Sequence, residues 1–334
     1  VHLAIIFRNF FVTGFCHVGL GVNAYQTEKV LRRHGAHVSV FGVPEPEDIL
    51  GTLQGMAAPP THVVIEAIWV GTETLRTLLK AFPDTLFIVR SHSQVGFLQV
   101  EPPAVKILRE MLDMQRSHKN LRVAANSQRL THFLERTFGP CVFLPNLYDT
   151  EYTPPRRQHQ PGILRIASFG ALRLLKNHMT SAAGALLIAR TEKTNLEFYV
   201  SVNRAENAGA QGILHAIRNL YNGLPWARLV ESPWSDWAKF RKTIARMDLY
   251  LQPSFTETFN ITVADAIIEG VPAVVSDAID WAPDGWKVEA DNVEQLAEVG
   301  LSHLHNPKSA EEGLVALRAH VHVGVRHWLK FLGV

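Results

Sequence analysis

One pattern limits what this chain can fold into. Short β-branched runs alternate with helical periodicity, and the alternation runs, stops and then starts again. Strands are predicted over residues 3–7, 37–41, 62–67, 86–90, 121–125 and 142–144, with helices among them over 23–34, 73–81, 104–117 and 128–138. Strand, helix, strand in regular succession builds a parallel sheet, because each parallel connection needs a crossover and the crossover helix must bury its apolar stripe on a sheet face. Residues 151–162 are polar, proline-rich and without period, and read as a linker. Strands resume at 163–168, 196–201, 227–230, 249–251 and 273–276, with helices over 179–190, 209–221, 235–246, 293–305 and 310–332. The expectation is an α/β protein of two Rossmann-like doubly wound domains facing a cleft, an amino-terminal one at 1–150 and a carboxy-terminal one at 163–317. Ligands of such sheets collect at the carboxyl ends of the strands.

Composition removes several classes. A length of 334 residues with 47% hydrophobic and 19% charged residues suits two domains with substantial cores. A formal net charge of +2 is too small to be a nucleic-acid footprint in itself. Cys16 and Cys141 give neither a disulfide framework nor metal-ligand spacing, so a cytoplasmic setting is expected. The apolar opening at 3–7 is too short for a leader and reads as a strand, and no apolar run approaches a membrane span. His303 and His305, like His320 and His322, are two apart within helical patterns, which points their rings away from a shared metal. No metal and no cofactor is expected.

The residues from Ser254 to Ser276 carry the most chemistry. Glu257 lies in a loop before a helix and Asp265 on its early turns, followed by Gly270, Pro272 and an apolar strand. A loop-to-helix junction offers unpaired amides and the positive end of a dipole, which suits a phosphorylated ligand, while carboxylates accept hydrogen bonds from sugar hydroxyls. Directly after the first strand of the second half stands Gly170, then Arg173, Lys176 and Asn177; glycine lets backbone approach a ligand and the two cations suit a diphosphate. In the first half, Gly19 and Gly21 open the first helix, and His92 follows the fourth strand. The arginine pair 32–33 and the stretch 127–129 read as solvated faces, and Trp226, Trp234 and Trp237 as core or capping aromatics.

The 254–276 segment resembles the glutamate-x7-glutamate signature of retaining glycosyltransferases with the GT-B fold, especially family 4. Glu257 matches the first acid, Phe259 the aromatic and Asp265 the second acid, while Asn260 stands in place of a glycine. The loop from Gly170 to Lys176 is similar to the family's basic loop, with Asn177 where glycine is frequent. This resemblance implies a metal-independent transfer of a sugar, with retention, from a UDP- or GDP-linked donor to a hydroxyl acceptor. It implies catalytic roles for His92, Arg173, Lys176 and Glu257. Donor binding would fall to Gly19, Gly21, Gly170, Asn177, Phe259, Asn260, Ile261, Thr262 and Asp265. It also implies a terminal helix, 318–334, that returns to the first domain. A saccharide or lipid-linked saccharide acceptor is expected, with peripheral membrane contact left open. The stretches 63–70 and 87–93 also resemble phage-encoded glycosyltransferases, some of which modify hydroxymethylated DNA bases, so a DNA acceptor stays open too. So do a nucleotide-sugar epimerase or hydrolase and a non-catalytic nucleotide-sugar binding protein.

Overall fold

A computed structural model describes residues 1–9, 18–151, 162–202 and 210–334. The predicted linker falls almost wholly outside the described residues, as does Cys16. The chain divides into two compact units, Val1–Asp149 with His320–Val334, and Thr150–Ala319.

The first unit runs β1 (His2–Arg8), α1 (Val18–Arg33), β2 (His37–Val43), α2 (Asp48–Gln54), β3 (His62–Glu66), α3 (Thr72–Ala81), β4 (Leu86–Ser91), α4 (Val95–Leu98), α5 (Pro102–Met114), β5 (Leu121–Ala125), α6 (Gln128–Thr137) and β6 (Val142–Phe143). Its strands form one parallel sheet ordered β2-β1-β3-β4-β5-β6. The strand order reverses between β1 and β3, which makes that edge the switch point. Ile6, Ile65 and Val89 of the strands, with Leu75, Leu78 and Leu112 of the covering helices, belong to one buried cluster.

The second unit runs β7 (Ile163–Ser168), α7 (His178–Thr191), β8 (Asn195–Ser201), α8 (Ala210–Tyr221), β9 (Ala227–Ser232), α9 (Trp237–Ile244), β10 (Leu249–Gln252), α10 (Ile261–Ile268), β11 (Ala273–Ser276), β12 (Lys287–Val288), α11 (Val293–His305) and α12 (Ser309–Leu332). Its parallel sheet has the order β12-β11-β10-β7-β8-β9, with the switch point between β7 and β10. The early part of α12 packs in this unit, where a side chain at Gly313 would run into Trp286 at 2.2 Å. Its last turns belong to the first unit, where Trp328 donates to the Pro145 carbonyl at 2.8 Å and Gly324 lies against Leu147.

Four elements depart from expectation, one of them the four-residue α4, which was not predicted. Helix α1 begins at Val18, five residues before the predicted start, so Gly19 and Gly21 are helical. Helix α2 was not predicted because its window shows only Ile49 and Leu53 as buried apolar residues between prolines and glycines. The two-residue β12 follows a single 3₁₀ turn and has no periodicity to read. The arginines at 32 and 33 are not simply solvated: Arg32 bonds the Val38 carbonyl and Arg33 forms a bidentate pair with the buried Asp149. Ser127 is likewise buried, capping α6.

Candidate active site

In the second unit the two segments singled out by sequence follow the two strands that flank the switch point. The basic loop leaves β7 and the acidic loop leaves β10, which pair in parallel. Topology therefore joins groups 81 positions apart: Lys176 Nζ donates to Glu257 Oε1 at 2.7 Å, with both side chains only 13–15% exposed. Ser254 Oγ and Asn260 Nδ2 donate to the same carboxylate oxygen, at 3.3 and 3.1 Å. Gly170, at φ +116°, lies under the Lys176 stem, where an added Cβ would meet Cε at 3.4 Å. The left-handed side of the φ range is what selects glycine there, since the contact with the lysine stem is an ordinary one. Arg173 is half-buried and precedes the 3₁₀ turn Leu174–Lys176.

Asn177 and Asn260, the two residues that stand where the resembled family has glycine, are both left-handed, at φ 56° and φ 57°. Asparagine is among the few side-chain-bearing residues that enter this region readily. Each also does what glycine cannot. Asn260 Oδ1 accepts from Val263 N at 3.1 Å, capping α10, and from Thr262 Oγ1 at 2.8 Å. Asn177 bonds the Pro253 and Ala290 carbonyls and accepts from Thr180 Oγ1. The replacements meet the backbone requirement and add rigidity.

Ile261 and Thr262 occupy the first turn of α10, where helix amides lack internal acceptors. Phe259 is buried against Trp281, whose indole donates to the Phe259 carbonyl at 2.7 Å, so its ring is part of the core. Asp265 is buried as well, and Trp237 Nε1 donates to its Oδ1 at 2.9 Å. Sequence reasoning discounted Trp237 because a tryptophan at a helix start carries no sign of its partner across the fold. Tyr250 and His178 were also missed. Tyr250 Oη bonds Phe169 and Thr262, tying the end of β7 to the start of α10. His178 is buried between Ser168 Oγ and the Ala171 carbonyl. Burial, reinforced by Lys176, lowers its pKa to about 4, so it stays neutral beside the basic loop.

Three sequence candidates lie in the first unit. Gly19 and Gly21 are in the opening turn of α1, and an added Cβ at Gly21 would touch the Phe7 ring at 3.0 Å; the helix approaches β1 this closely because residue 21 has no side chain. His92 follows β4 and is engaged by Glu66 and Asn126. Cys141 is free and buried, and burial pushes its thiol up to about 12. Among the described residues no group of three or more His, Cys, Asp or Glu is arranged to hold a metal, and no helix is long and apolar enough to cross a membrane.

Residues 121–279, spanning β5 to the segment after β11, match the family model described as "Family 4 Glycosyltransferase in conflict systems". The fold matches solved glycosyltransferases along nearly its whole length. The chain has the GT-B fold, and its residues 121–279 are similar to family 4 glycosyltransferases. Sucrose-phosphate synthase from Thermosynechococcus elongatus aligns over 99% of this chain and 98% of its own, at 12% identity and a TM-score of 0.67. A glycosyltransferase from Rickettsia africae covers 99% and 97%, at 11% identity and 0.64. TarM from S. aureus, solved with fondaparinux, alpha-GlcNAc-glycerol and UDP, matches 80% of this chain at 14% identity and 0.59; this chain spans only 55% of TarM's length. No curated protein matches it by sequence.

Proposed function

We propose that this chain moves a sugar from a UDP- or GDP-linked donor to a hydroxyl of a saccharide or lipid-linked saccharide, with retention and without a metal ion. The observation that carries this reading is the meeting of the Gly170–Lys176 loop with Glu257 at the β7/β10 switch point. A departing diphosphate gains negative charge as the glycosidic bond breaks. Lys176, Arg173 and the amides at the start of α10 would stabilise it, the electrostatic contribution that is usually largest. Lys176 has donors left for a phosphate after serving Glu257, since an ammonium carries three. Glu257, held by Lys176, Ser254 and Asn260, would accept hydrogen bonds from sugar hydroxyls. Asp265, fixed by Trp237, would serve the ribose side. With retention, the leaving phosphate oxygen itself can take the acceptor's proton, so no protein base is required at that step.

The test is a screen of nucleotide sugars against saccharide, lipid-linked and hydroxymethylated DNA acceptors, read by nucleoside diphosphate release and by product anomeric configuration. Release with a retained anomer, unchanged by a chelator and reduced at least about hundredfold in Lys176→Ala, is expected. A wild-type rate in Lys176→Ala would reject its assigned role. Free sugar formed without an acceptor would point to hydrolysis instead.

A further inference from the structure

The first unit distributes its charge unevenly between the two faces of its sheet. Ile6, Ile65 and Val89 point to one face, where they pack with residues of α2, α3, α5 and α6. Their strand neighbours point the other way, because side chains alternate along a strand. On that second face Gly21 of α1 lies against the Phe7 ring, and the guanidinium of Arg90, paired with Glu66, lies over Trp328 of α12. Both helices also pack on segment 145–149: Gln26 accepts from the Asp149 amide, while Trp328 and His320 bond the Pro145 and Asn146 carbonyls. Helix α1 and α12 from residue 320 onward therefore cover this face. Together they carry five Lys and Arg against one Asp or Glu, whereas α2, α3, α5 and α6 carry six against five. The whole-chain charge of +2 averages this asymmetry away.

The two sides of α12 are sharply sorted. Val321, Val325, Trp328 and Leu332 are buried, in the three- and four-residue steps of a packed helix face. His322, Arg326 and Lys330 stand exposed on the outer side, each about 6 Å further along the axis. No acid follows Glu312 in the chain, and among the described residues neither Arg326 nor Lys330 has a carboxylate partner. Burial, then the field of Lys330 and Arg326, lowers the pKa of His327, as two cations do when no acid screens them. On the opposite face cations are paired within a turn, as Arg76 with Glu73 and Lys106 with Glu110. Lys330 suits the negative end of the helix dipole, but Arg326 stands before the last turn, where that effect has faded.

On α1 the outer side presents Tyr25, Lys29 and Arg32, spaced i, i+4 and i+7. Tyr25 is 54% exposed, with its ring edge-on to Phe7. Lys29 reaches the buried Asp149, and Arg32 is anchored to Glu28 and the Val38 carbonyl, yet both side chains stay more than half exposed. A polyanion fits this charge, and the apolar residues decide which kind. A helix that binds a bilayer must insert an apolar face. Here those faces are spent on the sheet, and among the described residues the exposed large apolar side chains of the two stretches are Tyr25, Val323 and Val334. An exposed ring beside cations is what binds a single strand, since phosphates meet the cations while an unstacked base lies on the ring.

We propose that the outer side of α1 and of the last turns of α12 binds single-stranded nucleic acid, with Lys29, Arg32, Arg326 and Lys330 on its phosphates and Tyr25 stacked on a base. This surface uses no residue of the second unit and does not rest on the glycosyl-transfer reading.

The test is fluorescence anisotropy of the full chain with a labelled oligothymidine of about 20 nucleotides, longer than the site such a surface usually covers. Four neutralised phosphates predict a slope of log affinity against log salt of about −3. Arg326→Gln combined with Lys330→Gln should weaken binding about tenfold at low salt and halve that slope. Tyr25→Ser should weaken it about fivefold or more and leave the slope unchanged, because stacking releases no counterion. Arg76→Gln combined with Lys80→Gln, on the opposite face, should change neither. These positions are all exposed, and melting checks that each variant is folded. An affinity unchanged in the α12 pair, or lost equally in the α3 pair, would overturn the proposal. So would tighter binding to duplex DNA of the same length, or capture by phosphatidylserine vesicles of a chain that leaves the oligonucleotide free. The assay contains no nucleotide sugar, so binding by a chain that transfers none would keep this surface and remove the transfer reading.

Discussion

The left-handed asparagine at 260 gives a test in which the sign of the answer matters more than its size. At an ordinary backbone position alanine is more stabilising than glycine, by about 0.5–1 kcal/mol, because glycine loses more freedom on folding. At φ 57° that order should reverse. Asn260→Ala places a Cβ in the left-handed region, at about 1–2 kcal/mol. It also removes the α10 cap, at about 1 kcal/mol, together with the bond to Glu257. Asn260→Gly loses the same hydrogen bonds but carries no conformational penalty, and glycine at an N-cap costs only a few tenths of a kcal/mol relative to asparagine. The alanine variant should therefore be the less stable by about 1–2 kcal/mol. For a domain of this size that separates the thermal midpoints by about 2–8 °C. Calorimetry on the two variants side by side makes the measurement, with nucleoside diphosphate release as the companion assay. Alanine melting at or above glycine would refute the claim that backbone conformation, rather than side-chain contact, selected the residue at 260.

Trp237→Phe removes an indole hydrogen bond of 2.9 Å to the buried Asp265 carboxylate; a loss of about 1–3 kcal/mol and a raised donor KM with a smaller effect on kcat are expected, read by melting and steady-state kinetics. Gly184→Ala drives a Cβ to 2.1 Å from Leu296 Cδ2 between α7 and α11, and should cost about 1–3 kcal/mol by urea titration while leaving donor specificity unchanged. Acid stability should depend on His178, whose folded pKa of about 4 lies below its ordinary 6.5. Between these values the unfolded chain binds a proton that the folded one refuses, so its contribution is complete above about pH 6.5 and declines as pH falls towards 4. His303, lowered to about 4 by burial, acts in the same sense. His178→Asn should flatten the slope of stability against pH in that window, and an unchanged slope would remove the histidine from the account.

The division of labour between chain and fold is visible at particular residues. Alternating β-branched and amphipathic segments stated the α/β class and placed strands 121–125, 163–168 and 273–276 without error, because hydrophobic period is a local property that each segment carries by itself. The places of Gly170 after a strand, Glu257 in a loop and Asp265 on the following helix were readable for the same reason, since each depends on a few neighbouring residues. What no local pattern encodes is which loops share a sheet edge. Lys176 finds Glu257 because β7 and β10 are neighbours at a strand-order reversal, and Trp237 finds Asp265 because α9 lies beside α10. Glu66 and Arg90 read in the sequence as members of two apolar strands; only their parallel register makes them a buried pair and sets Glu66 against His92. Period two and period 3.6 are written one residue at a time, whereas strand order is settled by which apolar faces can be buried together, and the chemistry of this protein depends on the second.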